Sequence, residues 1–233
     1  MIQVKSNDKK LTAKTKEEAA TYVKQEHGIE ANAAEWREEL SDDKQRKYYW
    51  WKEGTPQEIF VGTVAATGEI TAFFTEWRKD EKKTFTREKA REIAIREMEK
   101  YLPAGTTEMM EIVNTRNKYN DKNGKYSFIF ARVHQGMPVM DRKFSIYVEG
   151  DQITDFIGTS RAELSDKLPD ATPKVSAEEA AKEFLVHYPL QLEYFYPEDN
   201  GKQALLVYRP GGKKSIFKNI KIDAVTGNLH ENK

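Results

Sequence analysis

Histidine is the side chain best suited to hold a metal or to relay a proton near neutral pH, and this chain has four: His27, His134, His187 and His230. A zinc centre needs three or four converging donors at close spacing. None of the four has another His at that spacing, and the chain has no Cys at all. His27 falls at the end of one helical pattern, His187 within another, His134 in a hairpin turn and His230 near the last residue. These positions suit solvated or capping roles, so no metal and no cofactor is expected.

Two other stretches bear on chemistry. RPGGKKS, Arg209 to Ser215, has a superficial likeness to a phosphate-binding loop. Such a loop needs an earlier Gly and a Ser or Thr directly after Gly-Lys, but Lys214 stands there, and Pro-Gly-Gly between two strands is explained by a hairpin. The acidic clusters EEL, SDD and PED lack calcium-loop spacing and a central Gly. NDKNG, Asn120 to Gly124, reads as a turn in which Asp121 offers at most a weak cation contact. No nucleophile, base and orienting group are grouped as hydrolysis requires. The expectation is a protein that is not an enzyme.

The composition excludes further classes. Thirty-eight basic and thirty-eight acidic residues cancel, leaving no net field to hold nucleic acid or an anionic membrane. A charged fraction of 33% gives a very polar surface, while 11% aromatic residues are too many for a disordered chain. No apolar run approaches membrane-spanning length, and the start MIQVKSNDKK lacks the apolar core of a signal peptide.

The elements that would position any site repeat three times. TKEEAATYVKQEHG has Thr15 as N-cap, Glu18 three residues on, and Ala19, Tyr22 and Val23 on one face before Gly28. TREKAREIAIREMEKYLP is capped by Thr86 and spaces Ala90, Ile93, Ala94, Met98, Tyr101 and Leu102 helically. SAEEAAKEFLVHYP repeats the scheme from Ser176. A further short helix capped by Asn32 is expected in EANAAEWREELSDDKQRK. After each main helix come aromatic and β-branched runs separated by turn residues, which predict an antiparallel meander. TVAATGEI and IDAVTGNL place Gly68 and Gly227 where a tight hairpin needs a left-handed residue. The fold class is α+β: tandem units, each one helix packed on a curled antiparallel sheet, with boundaries giving units 1–82, 83–170 and 171–233.

An [ST]-x-E-E-A helix followed by strands ending in I-D-A-x-T-G-x-L resembles the PepSY domain, and Val175 to Leu229 carries both ends of that pattern. The stretch YSFIFARVHQGMPV is similar to the bacterial YcdB/YcdC repeat family in Tyr126, Phe128, Phe130, Arg132, Gly136, Pro138 and Val139, followed by Gly150 and Ile153. It is more distantly like the propeptides of thermolysin-type peptidases. The resemblance implies a non-enzymatic interaction protein, in an extracytoplasmic setting, whose partner is a protein or peptide and could be an exported peptidase that it inhibits. The chain departs from those precursors in having no H-E-x-x-H motif and no peptidase domain. The alternative class is a cell-envelope module binding cell-wall glycan or a small apolar molecule.

Aromatic strands carry the interaction candidates. Alternation puts Tyr48 and Trp50 on one face of KYYWWK and Tyr49 and Trp51 on the other, and sets Tyr126, Phe128 and Phe130 against Ile129 and Ala131. One helix covers only one face of a sheet. The second face either packs on a neighbouring unit or forms a groove for a ligand. The residues expected at an interaction surface are Tyr126, Phe128, Phe130, Arg132, Tyr48 and Trp50, acting through an open strand edge with aromatic pockets beside it.

Overall fold

The three caps read in the sequence start three helices in the structure, a computed structural model that describes residues 1–6, 10–76, 85–113, 124–195, 205–211 and 220–231. Helix α1 spans Lys16–His27; the Thr15 side chain accepts from Glu18 N, and Gly28 closes the helix at φ 69°. Its capping box is half formed, because the Glu18 carboxylate takes the Lys14 N–H at 2.7 Å. Helix α2 spans Arg87–Glu99 behind Thr86. A short helix, α3, covers Arg161–Leu164, and α4 covers Ala177–His187 with a complete capping box between Ser176 and Glu179.

The chain forms two compact units, Met1–Pro169 and Asp170–Lys233. The first holds β1 (Ile2–Gln3), β2 (Trp36–Leu40), β3 (Arg46–Trp51), β4 (Ile59–Val64), β5 (Ile70–Thr75), β6 (Glu108–Glu111), β7 (Lys125–His134), β8 (Met137–Glu149) and β9 (Gln152–Ile157). These make one nine-stranded sheet in the order β1-β6-β7-β8-β9-β5-β4-β3-β2. Two helix-plus-meander halves, α1 with β2–β5 and α2 with β6–β9, therefore meet along their last strands. Ala72, Phe73 and Phe74 pair with Ile157, Phe156 and Asp155, antiparallel. Joining β5 to β9 removes two exposed edges at once. It also changes the expected division. Residue 82 lies outside the described residues, but β5 and α2 on either side of it belong to the same unit, so the expected units 1–82 and 83–170 share one sheet and one core.

That core lies between the helices and one sheet face. From the helices come Ala19, Tyr22, Val23, Ala90, Ala94 and Met98; from the sheet come Tyr49, Val61, Phe73, Phe156, Ile146, Phe128 and Phe130, all buried. Tyr22 meets Phe73 edge-on, and Tyr101 stacks on Phe156 at 4.1 Å. Gly158 gives Phe144 its room: a Cβ there would lie 2.6 Å from the Phe144 ring.

Asn32 caps a single 3-10 turn, Ala33–Glu35, rather than a longer helix, and the chain goes directly into edge strand β2. In the second unit, β10 (Leu190–Phe195) pairs with β11 (Leu205–Pro210), and β12 (Ile220–Ile222) with β13 (Leu229–Glu231). Leu192 and Tyr194, opposite Tyr208 and Leu206, stand on an exposed apolar face of the hairpin. Gly68 and Gly227 sit at φ 74° and 77°, the left-handed values that the repeated Thr-Gly turn requires.

Candidate binding surface

Because antiparallel partners share a face, the register across β2, β3, β4, β5, β9, β8 and β7 sets one row: Arg37, Trp50, Phe60, Phe74, Asp155, Tyr147 and Ser127. The next row holds Tyr48, Gly62, Ala72, Ile157 and Ser145. Both rows lie on the sheet face opposite α1 and α2, since the alternate residues Tyr49, Val61, Phe73, Phe156 and Ile146 are the ones buried beneath the helices.

Trp50 and Phe60 approach to 4.3 Å between ring centroids, and Tyr48 lies 5.6 Å from Phe60. Gly62 leaves the floor low there: an added Cβ would meet Phe60 Cζ at 3.2 Å and Ala72 Cβ at 3.1 Å. Trp50, Phe60 and Phe74 are half-buried, while Tyr147 and Ile157 are exposed at 42% and 57%. The result is an aromatic surface with rings standing side by side, a geometry that accepts apolar groups and cations over the ring faces.

One carboxylate interrupts this surface. Asp155 stands between Phe74 and Tyr147, accepts no hydrogen bond and joins no ion pair among the described residues, and its Oδ1 is fully shielded. Burial pushes its pKa up to about 6, because the charged form loses water and gains no partner.

The residues expected at an interaction surface divide in two. Tyr48 and Trp50 do lie on the open face. Phe128 and Phe130 do not: both are buried, and Arg87 of α2 sits over the Phe128 ring at 4.9 Å. Tyr126 donates its hydroxyl to Phe85 O at 2.7 Å, tying β7 to the approach to α2. Arg132 Nη1 donates to Asp166 O at 2.9 Å, and Arg142 reaches Glu163 O and the Asp166 carboxylate, so the segment after β9 is strapped onto the β7–β8 hairpin. These four are core or clamp residues. Local alternation does not distinguish Asp155, Phe60, Phe74 and Tyr147 as surface residues. The signal available was Asp155 itself, a charge within the apolar strand QITDFI.

His27 also differs from its expected solvated or capping role. It is half-buried, its ring stacked 3.7 Å from Phe73 and its Nε2 3.1 Å from the Tyr22 hydroxyl. Tyr22 and Tyr101 share a hydrogen bond of 2.6 Å, Tyr101 donates to Glu97 at 3.1 Å, and Lys100 bridges Glu97 and Glu26 at 2.8 and 3.0 Å. Burial first raises both phenols well above their ordinary pKa; for Tyr22 the Glu97 charge adds to it against the opposing hydrogen bond with Tyr101, and for Tyr101 the facing Tyr22 and then Glu97 add to it. Burial opposes the Lys100 charge, but the two glutamates outweigh it and raise that pKa. With its phenols held protonated and its lysine charged, the network works as a tie between α1 and α2. His134 Nε2 lies 3.0 Å from Pro169 O and His187 is exposed beside Glu183. Among the described residues, no three His, Cys, Asp or Glu side chains are placed to share a metal ion.

Two capped helices, each with its own antiparallel meander, joined edge to edge into one nine-stranded sheet, define an α+β protein. The chain belongs to the family described as the YcdB, YcdC repeated domain, whose profile matches residues 16–160. That span covers both halves of the nine-stranded sheet. Among solved structures the chain is similar to the Bacillus megaterium YpeB C-terminal domain, with a TM-score of 0.42 and 15% identity over 85% of this chain and 89% of that one. A comparison with curated proteins finds no match. Among the described residues, no helix is long and apolar enough to cross a membrane.

Proposed function

We propose that this chain is a non-enzymatic interaction module that binds a protein or an extended peptide on the open face of its sheet. The observation that carries the reading is the Tyr48–Phe60–Trp50 cluster, three neighbouring aromatic rings on the face that neither α1 nor α2 covers. Rigid aromatic side chains grouped in this way supply the anchors of binding surfaces at small entropic cost.

The face suits a partner better than the edge does. Strand β2 ends the sheet, but its Arg37 is held by Glu39 at 3.3 Å and Glu53 at 2.8 Å, and charges along an edge disfavour addition of another strand. The likeness of the family to inhibitory propeptides favours an exported peptidase as the partner and an extracytoplasmic setting for the complex. In this reading the chain has no peptidase, glycosidase or phosphatase activity of its own.

The test is capture of exported peptidases from the source organism on immobilised protein, comparing wild type with Trp50→Ala. Binding by wild type and its loss in the variant, with the circular dichroism spectrum unchanged, supports the reading. Capture of cell-wall polysaccharide in place of a peptidase replaces it with a glycan-binding role.

A further inference from the structure

We propose that Asp155 is the anionic anchor of the open face and that the group it selects is a primary ammonium on an apolar chain, such as a lysine side chain of the bound partner. The inference rests on the reading of this face as the binding surface and adds to it the chemistry of what is bound.

Three observations converge on Asp155. It lies in the aromatic row, with Phe74 directly opposite on one side and Tyr147 on the other. It has no partner among the described residues, and one oxygen is wholly cut off from water. Cationic side chains elsewhere on the sheet are already engaged, and burial alone raises the Asp155 pKa. Arg37 is held by Glu39 and Glu53, and Arg46 is held by Thr71 and Glu163. Lys125 is engaged with Glu149. A carboxylate in this state is stabilised by any cation that reaches its open oxygen.

The same geometry decides which cation. A guanidinium binds best through two parallel hydrogen bonds to both carboxylate oxygens. With Oδ1 shielded, Asp155 offers one oxygen, which suits the point charge of an ammonium. Adjacent strands are about 4.8 Å apart, so an alkyl chain leaving Asp155 crosses Phe74 and then reaches Phe60. The rings of Phe74 and Tyr147 also flank the cation itself, where ring faces add attraction.

The folded chain should be titrated with n-hexylammonium and with neutral n-hexanol, followed by NMR of the Tyr147 and Trp50 ring signals and the Asp155 side-chain carboxyl. At pH 7.5 hexylammonium should produce saturable shifts at concentrations at least tenfold below those needed for hexanol. At pH 5, about one unit below the Asp155 pKa, its affinity should fall about tenfold. Asp155→Asn should reduce hexylammonium to the level of hexanol while the remaining spectrum stays that of the folded protein. Equal binding of the two compounds, unchanged hexylammonium binding by Asp155→Asn, or no shift with either compound overturns the assignment. Equal binding that still moves Trp50 leaves the aromatic surface standing without its anionic anchor. Loss of partner capture in Trp50→Ala is the separate measure of the surface itself.

Discussion

The hydroxyls of Tyr22 and Tyr101 meet at 2.6 Å in the buried space between α1 and α2. Residues 79 positions apart thereby join the two helix-plus-meander halves on the helical layer, as the β5–β9 pairing joins them on the sheet. Removing one hydroxyl strands its partner, and an unsatisfied buried polar group costs about 1–3 kcal/mol. Tyr101→Phe should lower the unfolding free energy by that amount, since it deprives both Tyr22 and Glu97. Urea denaturation measures it. A loss below about 0.5 kcal/mol, the usual size for surface changes, would show that the network does not hold the halves together.

The network joins residues that no local sequence pattern connects. Helices α1, α2 and α4 were legible because cap, apolar period and stop agree within a dozen residues. The face of α2 was read correctly in Ala90, Ala94 and Met98, but buried Glu97 was not, because its partners Tyr101 and Lys100 are satisfied by α1 from the other half. Strand β2 was missed for the opposite reason. WREEL has the composition of an exposed helix, and only its ladder with β3 makes it a strand.

Pairing between β5 and β9 depends on distant residues, which a local period does not encode, and the expected boundary between two units fell there. The candidate surface suffered from the same blindness. Alternation separates Tyr48 and Trp50 from Tyr49 and Trp51, and Phe128 from Ile129, yet it does not say which set a helix will cover.

The glycine positions separate turn geometry from packing. Gly227 has φ 77° with only Val175 at 3.7 Å from an added Cβ, so Gly227→Ala should cost about 1 kcal/mol from backbone conformation alone. Gly68→Ala should cost more, because at φ 74° the new methyl also meets the Ala13 carbonyl oxygen at 3.2 Å. Asn228→Ala, whose side chain is outside the turn's hydrogen bonds, should cost little. Thermal melts should show the largest loss for Gly68→Ala, a smaller one for Gly227→Ala and the smallest for Asn228→Ala. Equal losses at all three would detach the repeated Thr-Gly from turn geometry.

Asp155 predicts a pH dependence with a definite sign. Its folded-state pKa is raised to about 6 from the ordinary 3.8. Between those values the folded chain holds a proton that the unfolded chain has lost, so stability falls as pH rises through the window and stays lower above it. The group is partly solvated, which reduces the effect to about 1–2 kcal/mol. Asp155→Asn should therefore be more stable than wild type at pH 7, by an amount that shrinks as pH falls toward 4. Lowered carboxylates such as Glu30 and Asp43 act with the opposite sign, but they are present in both proteins and cancel in the difference. A gap between the two proteins that stays constant from pH 4 to 7 would contradict the shift.

Phe128 and Trp50 provide the sharpest contrast, because the sequence placed both at an interaction surface and the structure puts them on opposite faces. Phe128 is 1% exposed, beneath Arg87 and in line with Phe130. Phe128→Ala removes a fully buried ring from a packed core, a change that costs about 3–5 kcal/mol. Trp50→Ala removes a half-buried ring whose main neighbour is Phe60 on the open face, and should cost about 1–2 kcal/mol, at the mild end for a lost aromatic contact. Partner binding should respond in the reverse sense. Trp50→Ala should abolish capture while the fold persists, and Phe128→Ala, assayed at a temperature where it remains folded, should bind as wild type does. If instead Phe128→Ala loses binding while folded and Trp50→Ala retains it, the partner reads the helical side of the sheet and the open face is not the binding surface.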